Sequence, residues 1–365
     1  MAESEALMNR AVMKGVTTVD WAEIRSRFPH LEGRVFLNTA TAGLQSRAST
    51  EAVVRHLQRT DRVASNSLLE YFADLDRIRG KIGQLIGAYA DDIAVCPSTA
   101  HGLSILLQGI DWKPGDRIIT FESEFPDSLY GAGWLAGKGV EVRKIALQDL
   151  DAHLNDRTRL VLISALNYST GLRAPIAALR SRLDRVGALL YVDGTQGCGV
   201  IELDMQAMQP DVMAVHGYKW MLSPMGAGFV YVRPSVRKWL DPNIIGWRSH
   251  RGWKDFSQLH EGTPALSDTA ERYEACMPAF ALYYAMEQSV DLMLELTPGG
   301  IEKRVLELAG RLRTGVVGLG GTVANENTPL MACRFPGVDV SALAGQLTGQ
   351  QILVAARQGS TVQAK

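Results

Sequence analysis

Cysteine is scarce in this chain. The four present, Cys96, Cys198, Cys276 and Cys333, lie far apart with no CxxC pair, so reduced and mostly buried thiols are expected rather than a disulfide framework or a zinc site. An excess of charge of one sign is also missing. Lys and Arg total 38 against 39 Asp and Glu, and a net charge of −1 argues against nucleic acid or an acidic membrane surface as partner. The short basic grouping Arg180-Ser181-Arg182-Leu183-Asp184-Arg185 reads as a solvated helix face. No apolar run approaches ~20 residues, so no helical membrane span is expected. The opening Met1-Ala2-Glu3-Ser4-Glu5 is acidic where a secretory leader is basic, and a cytoplasmic protein is the expectation. No GxGxxG opens a helix after a strand in the N-terminal half, which disfavours a Rossmann-type oxidoreductase. No repeat or low-complexity segment is present.

A chain of 365 residues with 46% hydrophobic content exceeds one core and fills two. Apolar strand-like runs at 117–121, 141–145, 160–164, 189–193, 212–215 and 228–232 alternate with helical segments such as Pro175 to Val186. Strands apolar on both faces predict a mostly parallel sheet covered by helices, an α/β fold whose ligands bind beyond the carboxyl ends of the strands. Asp241 to Asp268, with Trp247, Gly252, Trp253 and Pro264, reads as a long loop. Beyond it a long helix, Ala270 to Leu296, leads into a smaller α+β unit: helix Ile301 to Val317, strand Leu330 to Phe335, helix Ser341 to Gly349 and strand Gln351 to Ala355.

Lys219 sits in Ala214-Val215-His216-Gly217-Tyr218-Lys219-Trp220-Met221-Leu222-Ser223-Pro224, an apolar run broken by one amine and followed by Gly226-Ala227-Gly228. A lone lysine there would ordinarily pack its stem and keep its ammonium in water. Asp193 changes that reading, because it closes the strand Ala188-Leu189-Leu190-Tyr191-Val192 upstream, with Gln196 just beyond. Pyridoxal phosphate needs such a set. Its aldehyde is held by an amine of lowered pKa, its pyridine nitrogen by a carboxylate and its phosphate by amide donors. Lys219 is thus the candidate Schiff-base nucleophile, Asp193 the pyridine partner, and Gln196 a donor on the ring-hydroxyl side. Pro97-Ser98-Thr99-Ala100-His101-Gly102 precedes the helical run 103–107, and Ser98 or Thr99 as N-cap, with free N–H groups behind it, makes a phosphate cradle.

The order of Ser98-Thr99-Ala100-His101, Asn167-Tyr168-Ser169-Thr170-Gly171, Asp193-Gly194-Thr195-Gln196 and Gly217-Tyr218-Lys219-Trp220 resembles the class V aminotransferase family, which also holds cysteine desulfurases, isopenicillin N epimerase-like proteins and carbon–sulfur lyases. The resemblance implies PLP fold type I, an α/β fold with a mostly parallel central sheet in a large domain and a smaller α+β C-terminal domain. The expected division is an N-terminal arm over 1–34, a large pyridoxal-phosphate domain over 35–268, and a connecting helix with a shortened small domain over 269–365. The resemblance further implies a homodimer whose active sites are completed by the partner. Asn167 and Gln196 would flank the ring hydroxyl, Thr99 and the Ala100 amide would bind phosphate, and His216 and Tyr218 would be further phosphate ligands. His216 replaces the family's usual small hydroxyl residue. Glu122 to Ser128 falls where desulfurases carry a histidine stacked on the cofactor, a place left here to Phe125 or His101. Asn38 lies in Val35 to Gly43, which is similar to the family's opening strand and substrate-facing turn.

Departures from the family bear on the reaction. The stretch Ala356 to Gln363 lacks the attacking cysteine of desulfurases, and the family's later carboxylate-gripping arginine has no counterpart. Arg173, Arg248 and Arg251 are the candidate replacements. Trp247, Arg248 and Trp253 are expected on a surface buried against a neighbouring subunit. Met277 stands where a threonine commonly reaches the partner's phosphate, a donor His216 would replace. The expected activity is C–S β-elimination from a cysteine S-conjugate, or transamination. Decarboxylating deamination, epimerisation and an inactive binding subunit are the alternatives.

Overall fold

The structure is a computed structural model that describes residues 19–259 and 262–357. Residues 1–18 of the expected arm, and 358–365 with most of the cysteine-free stretch, lie outside the described residues.

After a short β1 (Val35–Phe36), the strands are β2 (Ile93–Cys96), β3 (Arg117–Phe121), β4 (Glu141–Ile145), β5 (Thr158–Ser164), β6 (Leu189–Asp193), β7 (Val212–His216) and β8 (Gly228–Val232). Those from β2 to β8 form one seven-stranded sheet in the order β2-β8-β7-β6-β5-β3-β4. Pairing is parallel from β4 through β7, while β8 runs antiparallel to both β7 and β2. Alternation builds two cores, one on each face. Val161, Ile163, Leu190, Val192, Met213 and Val215 join the core shared with the helices Leu68–Ile86 and Phe280–Leu296. Leu160, Leu162, Tyr191, Val212 and Ala214 join the other, under the helices Thr99–Gly109 and Pro126–Trp134. A face-by-face period of two is what a strand buried on both sides imposes.

Strand β2 is absent from the sequence expectation, because four residues are too few to give a period. The expected long helix over 270–296 is interrupted. Ala270–Tyr273 is a single 3-10 turn, and the α-helix starts at Phe280, two residues after Pro278, whose ring disfavours a preceding helical turn. Helices Pro298–Gly318 and Val340–Gly349 follow. The C-terminal strands are shorter than expected: β9 (Thr322–Val323) pairs antiparallel with β10 (Cys333–Arg334), and β11 (Ile352–Leu353) pairs parallel with β1. That last pairing carries residues 354–357 alongside the turn that follows β1. No described helix is long and apolar enough to cross a membrane.

A buried ionic network pins the irregular loop to the sheet. Arg248, 0% exposed, contacts Glu271 at 2.7 Å and Glu274 at 2.8 Å. Arg79 meets Glu274 at 2.7 Å, and Glu274 also accepts the Val95 N–H of β2 at 2.8 Å. Guanidinium stacking on Phe72 and Trp253, at 4.5 and 4.8 Å from the ring centroids, completes the cluster. Removing one partner strands a buried charge, so Arg248→Ala is expected to destabilise the fold by about 3–5 kcal/mol, read as a lowered urea midpoint.

Candidate functional site

The strand order reverses at β3, one strand in from the sheet's edge: β4 lies on one side of β3 and β5 on the other. Crevices form at such reversals, beyond the carboxyl ends of the strands. A small, partly enclosed cleft opens there. Its walls include Asp193 and Ser164 at strand ends, Thr99 and Asp127 in the first turns of their helices, and Phe125 and Tyr168 from the loops. Thr195, Gln196, His216, Tyr218 and Lys219 close the other side.

Lys219 stands on the β7–β8 connection, which is held by Gly217 N–H to Ala227 O at 2.9 Å, Ser223 N–H to Gly217 O at 3.0 Å and Leu222 N–H to Lys219 O at 3.0 Å. The turn after β1 packs on it, with Gly43 N–H donating to Tyr218 O at 2.8 Å. Glycine is required at that contact, since a Cβ on Gly43 would sit 2.2 Å from the Lys219 carbonyl oxygen. The amine is 7% exposed and makes no ion pair among the described residues. Burial holds its pKa below the usual lysine range, partly offset by Asp193 and reinforced by Arg357. Asp193, 6% exposed, accepts the Thr195 N–H at 2.9 Å and has no ion-pair partner among the described residues. Burial pushes its carboxyl up.

Other predicted residues have the following placements. Ser98 is the N-cap of Thr99–Gly109, its hydroxyl accepting the His101 N–H at 3.2 Å, which leaves the Thr99 and Ala100 amides at the open helix end. Phe125 lines the cleft edge-on to Tyr168 at 5.4 Å, whereas His101 is half-buried and does not line it. Gln196 lines the cleft with both amide ends engaged, donating to Ala40 O at 2.9 Å and accepting from Trp220 Nε1 at 2.8 Å. Burial, with Lys219 adding, lowers the His216 pKa from the usual histidine range, and its Nε2 accepts the Gly226 N–H at 3.0 Å, edge-on to Tyr218. Asn38 anchors its own turn through its carbonyl, which accepts the Thr41 and Ala42 amides at 3.0 and 3.2 Å.

Several expectations are corrected. Asn167 does not line the cleft: its Oδ1 binds the Ser169 and Thr170 turn, and its Nδ2 donates to Ser123 O at 3.0 Å. Arg248 is committed to its buried network, and Arg173 pairs with Glu302 at 2.6 Å. Arg251 lies 3.8 Å from Asp268 and outside the cleft lining. Trp247 and Trp253 pack on Phe72, and Trp253, 1% exposed, fills this chain's own core rather than waiting for a neighbour. Cys96 and Cys198 are buried but Cys276 and Cys333 are exposed.

Sequence reading missed Glu124, Asp127, Ser164 and Arg357. Arg357 Nη2 donates to Thr41 Oγ1 at 3.3 Å, above the turn that packs on Lys219. Glu124, 3% exposed, accepts the Ser164 N–H at 3.1 Å and the Ser164 hydroxyl at 2.5 Å, and burial, with Asp193 adding, pushes its carboxyl up to about 7. Glu124 adjoins Phe125 in sequence, which was the available signal; no local pattern marks Arg357.

A doubly covered α/β sheet with a buried amine facing a buried carboxylate defines a pyridoxal-phosphate enzyme architecture. The sequence profile for aminotransferase class V matches residues 35–364, and the chain belongs to that family of pyridoxal-phosphate enzymes. It is 24% identical over 311 residues to a probable cysteine desulfurase of Methanothermobacter thermautotrophicus, covering 82% of this chain and 76% of that one. It is 26% identical over 353 residues to isopenicillin N epimerase of Streptomyces clavuligerus, covering 90% and 88%. The fold is similar to that of a cystine C–S lyase solved with its product cysteine persulfide, at TM-score 0.83 and 21% identity over 89% of this chain and 91% of that one.

The donor set fits the cofactor. Among the described residues Asp193 is a buried carboxylate without a cation and the Thr99 and Ala100 amides at a helix head have no partner, while Lys219 is an amine biased toward neutrality. Glu124 also leaves a mark on stability. Its folded pKa is raised above the unfolded value of 4.5, so the folded protein holds the proton longer and stability falls as pH rises from there to about 7. That group alone is expected to cost about 3 kcal/mol across the window, and denaturant titrations of Glu124→Gln should lack this component.

Proposed function

We propose that this enzyme removes the Cα proton of an amino acid and eliminates its β-substituent, acting as a carbon–sulfur lyase on a cysteine S-conjugate. The observation that carries the reading is the Lys219 amine, buried, without an ion pair among the described residues, and held toward its neutral form beside Asp193. A neutral amine is the form that can accept a proton. Bound in this cleft, pyridoxal phosphate would supply the electron sink for the charge that develops at the substrate Cα.

The residues of the chain divide the remaining work. Lys219 Nζ would take the Cα proton. Asp193 would hold positive charge on the ring nitrogen, and the helix head at Thr99 and Ala100, with His216 and Tyr218, would take the phosphate. Phe125 would wall one ring face. Arg357, in place of the arginines that are tied elsewhere, is the proposed holder of the substrate carboxylate. Support for free thiol release comes from the cysteines: Cys96, Cys198, Cys276 and Cys333 are all absent from the cleft lining. Cys198 is buried and its thiol pushed up to about 12, a poor nucleophile. A homodimer is part of the reading, and an active monomer by sedimentation would remove it.

Incubation with a cysteine S-conjugate should yield thiol, pyruvate and ammonia with no keto-acid co-substrate. Stalling after one half-reaction until a keto acid is added would instead mean transamination, and persulfide on any cysteine during turnover would overturn thiol release. Borohydride should fix the cofactor on Lys219, and Lys219→Ala should lose turnover while keeping its fold; a label on another lysine refutes that role. Asp193→Asn is expected to lose about 2.7–4 kcal/mol of transition-state stabilisation with little change in unfolding midpoint.

A further inference from the structure

Glu124 lies one residue before Phe125 on the turn leaving β3, and its carboxyl is buried against the end of β5. That turn is held under strain. Ser123 adopts φ +68°, in the left-handed region, and two bonds clamp it there: Asn167 Nδ2 to Ser123 O, and the Glu124 carboxyl to Ser164. An amide would accept the Ser164 N–H equally well, whereas a buried carboxyl with no cation is costly. The particular capability a carboxyl adds is to gain and lose a proton.

Ser164 gives that proton a route to the cleft. It ends β5 directly opposite Asp193, and its side chain forms part of the cleft wall while its hydroxyl meets Glu124 behind. We propose that Glu124 is a positioning residue acting through Ser164, a proton-controlled switch that sets whether the Ser164 hydroxyl offers the cleft a hydrogen or a lone pair. When Glu124 is ionised, the Ser164 hydroxyl donates to it and presents lone pairs to the cleft. When Glu124 takes one proton from solvent, its own O–H donates to Ser164 Oγ, and the serine hydrogen turns outward. Only one O–H bond is made, and nothing is oxidised or reduced.

The groups facing Glu124 set the direction of the coupling. Asp193 and Tyr191 face it from β6, and Asp127, in the first turn of the helix Pro126–Trp134, acts on both of them. The charge of Asp193 favours the protonated Glu124, while Lys219 across the cleft opposes Asp193 and Asp127. A cationic ring beside Asp193 would offset that charge and release the Glu124 proton. The inference rests on the pyridoxal-phosphate reading, since the occupant is taken to be a heteroaromatic ring with polar edge atoms.

The test is titration of the cofactor-free protein with pyridoxal phosphate from mildly acidic to mildly alkaline pH, following the dissociation constant and the absorption band. A step near neutral pH is expected in the natural protein. Glu124→Gln locks Ser164 in one arrangement and Ser164→Ala removes the relayed hydroxyl, so both should bind the cofactor and lose the step. Absence of any cofactor band in the natural protein defeats the functional reading. A normal band whose step persists in both variants defeats the switch alone. If the variants do not fold, infrared spectroscopy of the natural holoprotein decides: a buried protonated-carboxyl band that titrates near neutral supports the switch, and no such band overturns it.

Discussion

The register of the parallel ladder is the constraint on which the rest depends. Ser164 lies opposite Asp193, and Asp193 opposite Ala214, across β5, β6 and β7. Side chains alternate faces, so a slip of one residue would send Asp193 into the core under the Leu68–Ile86 helix and bring Val192 to the cleft. The same register puts Tyr191 on the face of the Thr99–Gly109 helix, where its hydroxyl reaches Thr99 O at 3.5 Å. The carboxylate and the helix head therefore share one side of the sheet because they share one parity.

Charge in the cleft follows from that placement. Asp193 and Asp127 line it and Glu124 stands behind Ser164, against Lys219 and the exposed Arg357, which acts on Lys219 from beside the Thr41 turn. Burial disfavours the ionised form of every one of the enclosed groups, raising the acids and lowering the amine. Desolvation and mutual attraction thus pull in opposite directions on Lys219 and Asp193, and desolvation is the larger on both. A ligand bringing both a cation for Asp193 and an electrophile for Lys219 would relieve both groups at once.

The arginines show how tertiary structure reassigns residues that look alike in sequence. Arg248 is the most deeply buried of the candidates and stabilises the loop rather than a ligand, while Arg357 reaches the Thr41 turn that packs on the lysine loop because β11 pairs parallel with β1. The aromatic loop behaves likewise. Trp253 has its partners in Phe72 and Trp247 within the chain, so its apolar surface is already covered.

By itself the sequence determined the α/β class, six of the seven strands of the main sheet, and the pairing of a strand-end acid with a lysine in an apolar run. Those features are local: periodicity, capping chemistry and chain order carry them. The helix start was legible for the same reason, with Ser98 or Thr99 as its N-cap, and the structure decides for Ser98. Tertiary structure alone decided which side chains converge. Asn167 sits beside the right strand end but spends its side-chain carbonyl on its own turn and its NH2 on Ser123, and Glu124 meets Ser164 across 40 residues of chain. Burial, and with it the protonation of Lys219, Asp193 and Glu124, depends on which helices cover the sheet, and no window of sequence contains that information.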